Sequence, residues 1–325
     1  MTLADAWLCC DPIQHITPEW YEKMKTAILF LVALPLLFCP STYTWCSLQE
    51  EYEYVLEWGS TGSDTGQFVG PRGMCADQYG FIYVCDYGNK RIQKFDSLGA
   101  FMLMFGDSGS GDGQFVYPSD VAVDESGYIY VADPALGRIQ KFDSSGGFLA
   151  AWGGGVLGCR GVSTDLGNNV ILTDQGDHTV KRFDTQGNLL REWSGPDSSR
   201  WSPIAIAASN THVYVYTDRF SHNIQKFDSL GGFILEWSCL GWAAEQNGFT
   251  YDMAADSLGN IYVPEAWNDR CQKFDGNGRF VTTWGTGGVG PGQFNSPIGI
   301  AVGSDGSVYV SDTGNNRIQK FRKIN

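Results

Sequence analysis

The sequence is poor in the residues and spacings from which most catalytic and metal centres are built. It has four histidines, no Gly-x-Ser-x-Gly elbow, no His-Glu-x-x-His helix and no Walker loop. Its nine cysteines (Cys9, Cys10, Cys39, Cys46, Cys75, Cys85, Cys159, Cys239 and Cys271) never form a Cys-x-x-Cys pair, which argues against a zinc ribbon or a thioredoxin-like centre. Scattered thiols of this kind read as isolated and buried, with room for one disulfide. Positive charge is scarce too. With 22 Lys and Arg against 36 Asp and Glu, the formal charge is −14, so the average field repels phosphate backbones and nucleic acid is not an expected partner. Nor is any apolar run long enough for a permanent membrane span. The longest, Ala27 to Phe38, has 12 residues, and a helix of that length reaches roughly 18 Å against a hydrocarbon core of roughly 30 Å.

That run has another meaning. Residues 24–46 place a Met and a Lys before the apolar stretch and small and polar residues after it, the layout of a secretory signal peptide. Met24 is then a candidate true start, with residues 1–23 an upstream extension. Leu36-Leu37-Phe38-Cys39 loosely resembles a lipoprotein box, although bulky Phe38 stands where a small residue belongs. The expected organisation is an N-terminal extension over 1–50, a single domain over 51–325, and a location that is secreted or at the cell surface.

What the chain has in quantity is glycine, 41 residues, and aromatic side chains, 14%, beside only 18% charged residues. Glycine supplies the positive φ of tight turns, so this balance points to many short strands. Self-similarity decides the architecture. The stretch RIQKF at 91–95 returns at 138–142 and 317–321, with weaker copies ending at Phe183, Phe227 and Phe274. The intervals are 47, 41, 44, 47 and 47 residues, one four-stranded propeller blade per period. The copy at 113–153 shows the unit best: strands at Asp120 to Val123, Tyr128 to Ala132, Arg138 to Phe142 and Phe148 to Trp152, alternating with the period of two that strands require. Small residues such as Gly73, Ala122, Ala205 and Gly299 suit the crowded first strand beside an axis. Fourth strands end in an aromatic, at Phe105, Trp152, Trp193, Trp237 and Trp284, which is one short of six. The last repeat stops after its third strand, and an orphan fourth strand ending in Trp58 lies at 54–59. Pairing the first strand with the last predicts an all-β, six-bladed β-propeller with no free edge at the seam.

These repeats resemble the NHL family, whose pattern of Gly-Gln-Phe, then Pro-x-Gly, then Tyr-Val-Ala-Asp, then Arg-Ile-Gln-Lys-Phe is visible from residue 52 to 325. Repeats one, two and six match closely, at Gly66-Gln67-Phe68 with Pro71, Gly113-Gln114-Phe115 with Pro118, and Gly292-Gln293-Phe294 with Pro297. Repeats three to five depart from it, so individual function is expected there.

An acid closes the second strand of each repeat (Asp86, Asp133, Asp174, Asp218, Glu265, Asp312), and Arg91, Arg138, Arg270 and Arg317 follow across a hairpin. Sixfold recurrence marks these as structural. The base before each closing Phe (Lys94, Lys141, Arg182, Lys226, Lys273, Lys320) is expected at a solvated blade edge. The family resemblance makes the loops entering the first strand and joining the second to the third the binding face. Irregular residues there are the candidate ligand contacts: Arg72, Asp120, Arg160, Trp201, Trp242, Tyr251, Asp252 and Trp267. Aromatics suit sugar rings or peptide side chains, and Arg suits a carboxylate. His178 and His222 share one repeat position and are the candidate metal ligands.

The expected function is non-catalytic recognition of a protein, peptide or glycan by a monomer that requires no cofactor. The alternative is a metal-dependent lyase or hydrolase using His178 and His222, since similar propellers include the peptide-amidating and streptogramin-cleaving lyases. A regulatory or RNA-binding role of the intracellular NHL kind comes last, because no RING or B-box clusters precede the repeats.

Overall fold

The computed structural model describes residues 50–153, 158–197, 201–218, 222–238 and 249–324. The chain divides into two compact units, Met1–Ser47 and Leu48–Asn325, and the described residues belong to the second. Residues 24–46, with Met24 and Cys39, lie outside them, as does Trp242.

Six four-stranded antiparallel sheets succeed one another along the chain as blades 1 to 6. The innermost strands are Pro71–Ala76, Asp120–Val123, Val162–Thr164, Pro203–Ala208, Ala254–Ala255 and Pro297–Val302. Every second strand is apolar on both faces because it lies between two neighbouring blades; in Ile82–Asp86 and Ile129–Asp133 each residue is buried. The core is therefore a set of wedges between blades, such as the cluster of Cys85, Ile92, Phe115, Val131 and Phe142. Blade 6 is composite. Its outer strand is Glu51–Trp58, which pairs antiparallel with Arg317–Ile324, from Glu51 opposite Ile324 to Trp58 opposite Ile318. The expected closure of the ring by the two ends of the chain is the observed one.

Two sets of contacts join neighbouring blades. The aromatic that ends one fourth strand lies on the following blade's outer hairpin, where glycine leaves room: a Cβ on Gly278 would stand 2.5 Å from the Trp237 ring, at a φ of +80°. At the seam that hairpin is cut, and Tyr52 stacks on Trp284 instead, centroids 4.5 Å apart. The second set corrects an expectation. Of the six bases before the closing Phe residues, Lys141, Lys226, Lys273 and Lys320 are buried rather than solvated, and Lys94 and Arg182 are half-buried. Lys141 reaches the Thr185 carbonyl (3.0 Å), Lys226 that of Gly276 (2.7 Å) and Lys320 that of Ser97 (3.1 Å), each on the next blade. A lysine has a long apolar stem and a charged head, so it can cross the wedge and satisfy a carbonyl beyond it.

The recurrent acids are structural. Asp86 is fully buried and accepts bonds from the Val69 amide, Arg91 Nε (2.8 Å) and Gln93 Nε2 (3.1 Å), while the Arg91 guanidinium donates to the Ser63, Asp64 and Gln67 carbonyls. Asp312, Arg317 and Gln319 repeat the arrangement in blade 6. Blade 4 departs from the expected pattern: Thr217, not Asp218, ends its second strand, opposite Asn223. Four cysteines are described, Cys75, Cys85, Cys159 and Cys271, and all are free. Burial pushes the Cys159 thiol up to about 12 and the other three well above the ordinary value, so all four are inert as thiolates. No helix among the described residues is long and apolar enough to cross a membrane.

Candidate binding face at the channel mouth

The inner strands surround an axial channel of about 160 Å³, walled by small and apolar side chains that include Met74, Ala122, Ala207 and Ala301. Its charged groups are two carboxylates, set beside the hydroxyls of Ser163 and Thr164. Asp120 opens the inner strand of blade 2 and accepts the Val121 amide (2.8 Å) and, across the blade boundary, the Val162 amide (2.8 Å). Asp252 precedes the inner strand of blade 5 and accepts the Met253 amide (2.7 Å), the Ile300 amide of blade 6 (3.0 Å) and the Met74 amide of blade 1 (3.4 Å). The two acids converge on one segment of blade 1, where a Cβ on Gly73 would meet Asp120 Oδ1 at 2.4 Å. Both are buried. Burial raises the affinity of each for a proton, and the Asp252 charge raises that of Asp120 further. Asp252 is pushed up to about 7, its three amide bonds opposing the rise.

Arg72 lies one residue before Gly73. Its guanidinium sits 3.7 Å above the Tyr87 ring and 5.7 Å from that of Tyr251. Arg160, from the loop entering blade 3, stands 5.9 Å from the same Tyr251 ring and donates from Nε to Gln175 Oε1 (3.2 Å). Blades 1, 3 and 5 alternate around the ring, so side chains from all three meet only over the axis. Among the described residues, neither guanidinium has a carboxylate within ion-pair distance. On one side of the mouth Tyr87 stacks on Tyr117, centroids 5.1 Å apart with 14° between planes, and Lys90 Nζ lies 4.6 and 4.3 Å from the two rings. On the other, Tyr251 meets Phe249 at 4.5 Å, and Phe249 stacks at 5.8 Å with Trp267, which is 65% exposed.

The face thus gathers Arg72, Arg160, Tyr251 and Trp267 from the sequence candidates, with Asp120 and Asp252 beneath. It leaves Trp201 out. Read from sequence as a ligand contact, Trp201 is only 4% exposed, and its indole N–H donates to Gln225 Oε1 at 2.7 Å. A large ring with one polar atom is well satisfied by an apolar wedge and a single acceptor, and here it packs on Phe227. Tyr87, Lys90, Tyr117 and Phe249 were not among the sequence candidates. The available signal was non-recurrence: the residue after the second-strand acid is Tyr87 in blade 1 but Pro134, Gln175, Ala266 and Thr313 in blades 2, 3, 5 and 6.

His178 and His222 both precede a third strand with positive φ, 61° and 46°. Lys90, Gly137, Asp269 and Asn316 hold the same turn position with φ from 50° to 59°, so the position demands left-handed backbone whatever its side chain. His222 Nδ1 lies 2.8 Å from Tyr216 Oη, and the Nδ1 of His178 is buried without a hydrogen-bond partner. Among the described residues no three or more His, Cys, Asp or Glu side chains are grouped as a metal site requires.

Closed ring, buried repeat lattice and loop-lined mouth together define a six-bladed β-propeller. The NHL repeat model matches residues 68–95 and 294–321, which run from the buried Phe of Gly-Gln-Phe to the closing Phe of blades 1 and 6. This chain is an NHL-repeat propeller. No curated protein sequence matches it. Among solved structures, a streptogramin B lyase aligns with a TM-score of 0.57 at 14% identity, covering 85% of this chain and 99% of that one. Virginiamycin B lyase from Staphylococcus aureus aligns at 0.57 and 14%, covering 84% and 100%. A gluconolactonase from Xanthomonas campestris aligns at 0.60 and 14%, covering 79% and 87%. At this identity the likeness is one of fold.

Proposed function

We propose that this protein is a recognition module acting outside the cytoplasm, which takes a protein, peptide or glycan on the loop face at its channel mouth. One observation carries the reading. Side chains from blades 1, 2, 3 and 5 form a contiguous aromatic and cationic cluster over the axis, yet the buried lattice of Asp, Arg, Gln and Lys contacts that holds the ring together uses none of them. Exposed rings, and guanidiniums that among the described residues have no carboxylate partner, are the groups that anchor ligands. The purified protein is expected to retain a saturable ligand from an extracellular or cell-surface fraction, and Trp267→Ala to weaken that retention about fivefold or more, a loss of at least about 1 kcal/mol. No saturable retention, or equal retention by the variant, contradicts the reading. The location rests on the layout of residues 24–46. Residues 1–50 fused to a reporter are expected to export it, and retention of the reporter in the cytoplasm counts against that placement.

A metal-dependent lyase or hydrolase built on His178 and His222 is the second reading, favoured by the unpartnered Nδ1 of His178. It requires that added zinc, calcium or magnesium raise the melting temperature and that His178→Ala abolish the shift.

A further inference from the structure

The mouth residues form one line across the face. From the entry loop of blade 2 it runs Tyr117, Tyr87, Arg72, Tyr251, Phe249 and Trp267, each in contact with the next. Both ends are open, Tyr117 at 43% and Trp267 at 65% exposure. Arg160 joins from the side at the centre.

Three properties of this line select a ligand. Stacked, partly exposed rings at both ends offer flat apolar faces, which suit the apolar faces of sugar rings. The centre offers two half-buried guanidiniums with no carboxylate among the described residues within ion-pair distance, and a planar guanidinium is matched by a carboxylate. The cations are few, Arg72 and Arg160 with Lys90 beside them, on a chain of net charge −14. A continuous polyanion such as single-stranded nucleic acid would meet repulsion over most of its length. An extended peptide gains affinity from a free sheet edge, and each sheet's two edges are its outermost strand and the innermost strand that walls the channel, not the loops that carry these aromatic residues.

We propose that the mouth seats an acidic oligosaccharide, a mostly neutral chain of sugar rings bearing carboxylates singly. One carboxylate is held by Arg72 and Arg160 over Tyr251, and flanking sugars lie on the Trp267–Phe249 and Tyr87–Tyr117 stacks. This rests on the loop face being the recognition surface.

The probe is a tetrasaccharide alternating glucuronate with a neutral sugar, titrated calorimetrically into the full chain. Its carboxyl methyl ester, an acidic tetrapeptide and a short single-stranded oligonucleotide are the other arms. The acid is expected to bind saturably and the ester about tenfold more weakly or worse, as loss of charge-assisted hydrogen bonds dictates. Arg72→Gln and Arg160→Gln should each weaken the acid by about tenfold and the ester little, whereas Trp267→Ala should weaken both alike. The ester arm needs no variant to fold, and thermal melts check those that are used. Equal binding of acid and ester, tighter binding of the peptide or oligonucleotide, or no binding of the acid overturns the proposal. If ester and acid bind alike and Trp267→Ala weakens both, the face remains a recognition surface and only the carboxylate assignment falls. If no probe binds and no extracellular ligand is retained, both fall.

Discussion

Asp120 and Asp252 hold two blade boundaries together by accepting backbone amides, yet each lies where charge is disfavoured. Because folding raises their affinity for protons, the stability they contribute is present at low pH. It begins to decline above the ordinary value of 3.8 and is lost as pH climbs through about 7. Thermal melts between pH 5 and 8.5 are expected to show this decline, worth on the order of 2–4 kcal/mol, and Asp252→Asn to flatten it. An unchanged slope in the variant would place the titration elsewhere. The tryptophans separate in the same concrete way. Trp201→Ala empties a wedge and should cost about 3–5 kcal/mol, while Trp267→Ala should stay within about 0.5 kcal/mol in denaturant melts. From sequence these two residues look alike, both being irregular tryptophans on entry or connecting loops. What distinguishes them is whether a neighbouring blade supplies an acceptor such as Gln225, and that depends on contacts the local sequence does not contain. Arg72, Arg160 and Tyr251 were legible as irregular residues. Their meeting was not, since it arises from the alternation of blades 1, 3 and 5 around an axis.

Strands were legible because a blade repeats its pattern. The buried second strand reads as an apolar run ending in an acid, and the third as Arg-Ile-Gln-Lys-Phe. Where the pattern weakens, so does the reading: in blade 4 the second strand is His212–Thr217, ending at Thr217 and not at the expected Asp218. The role of the lysines was missed because charge suggests solvent, whereas a lysine head needs only one carbonyl on the next blade. The blade-to-blade aromatic contact gives a sharp element-level prediction. Gly278→Ala forces a Cβ to within 2.5 Å of Trp237 at a φ of +80°. It is expected to lower stability by about 1–3 kcal/mol in equilibrium unfolding. A neutral result would mean that the Trp237 contact yields freely.

For the whole molecule the seam is the decisive element. Glu57 pairs with Arg317 (2.9 Å), Glu50 with Lys323 (2.8 Å) and Glu53 with Arg322, so the closing strand is attached by charge as well as by its ladder. Removing residues 50–58 strips blade 6 of its fourth strand and the Trp284 ring of Tyr52. The unfolding transition of the truncated protein is expected to broaden and to begin at lower temperature, and superimposable melts would contradict the assigned role of the strand.

The composite blade also sets a clock on synthesis. A ribosome releases the closing strand first and its seat last, with some 260 residues between Trp58 and Arg317. At about 5–20 residues per second, the first segment waits on the order of tens of seconds without its partner. Until residues 317–324 emerge, no circle can form, and the closing strand has no ladder to join.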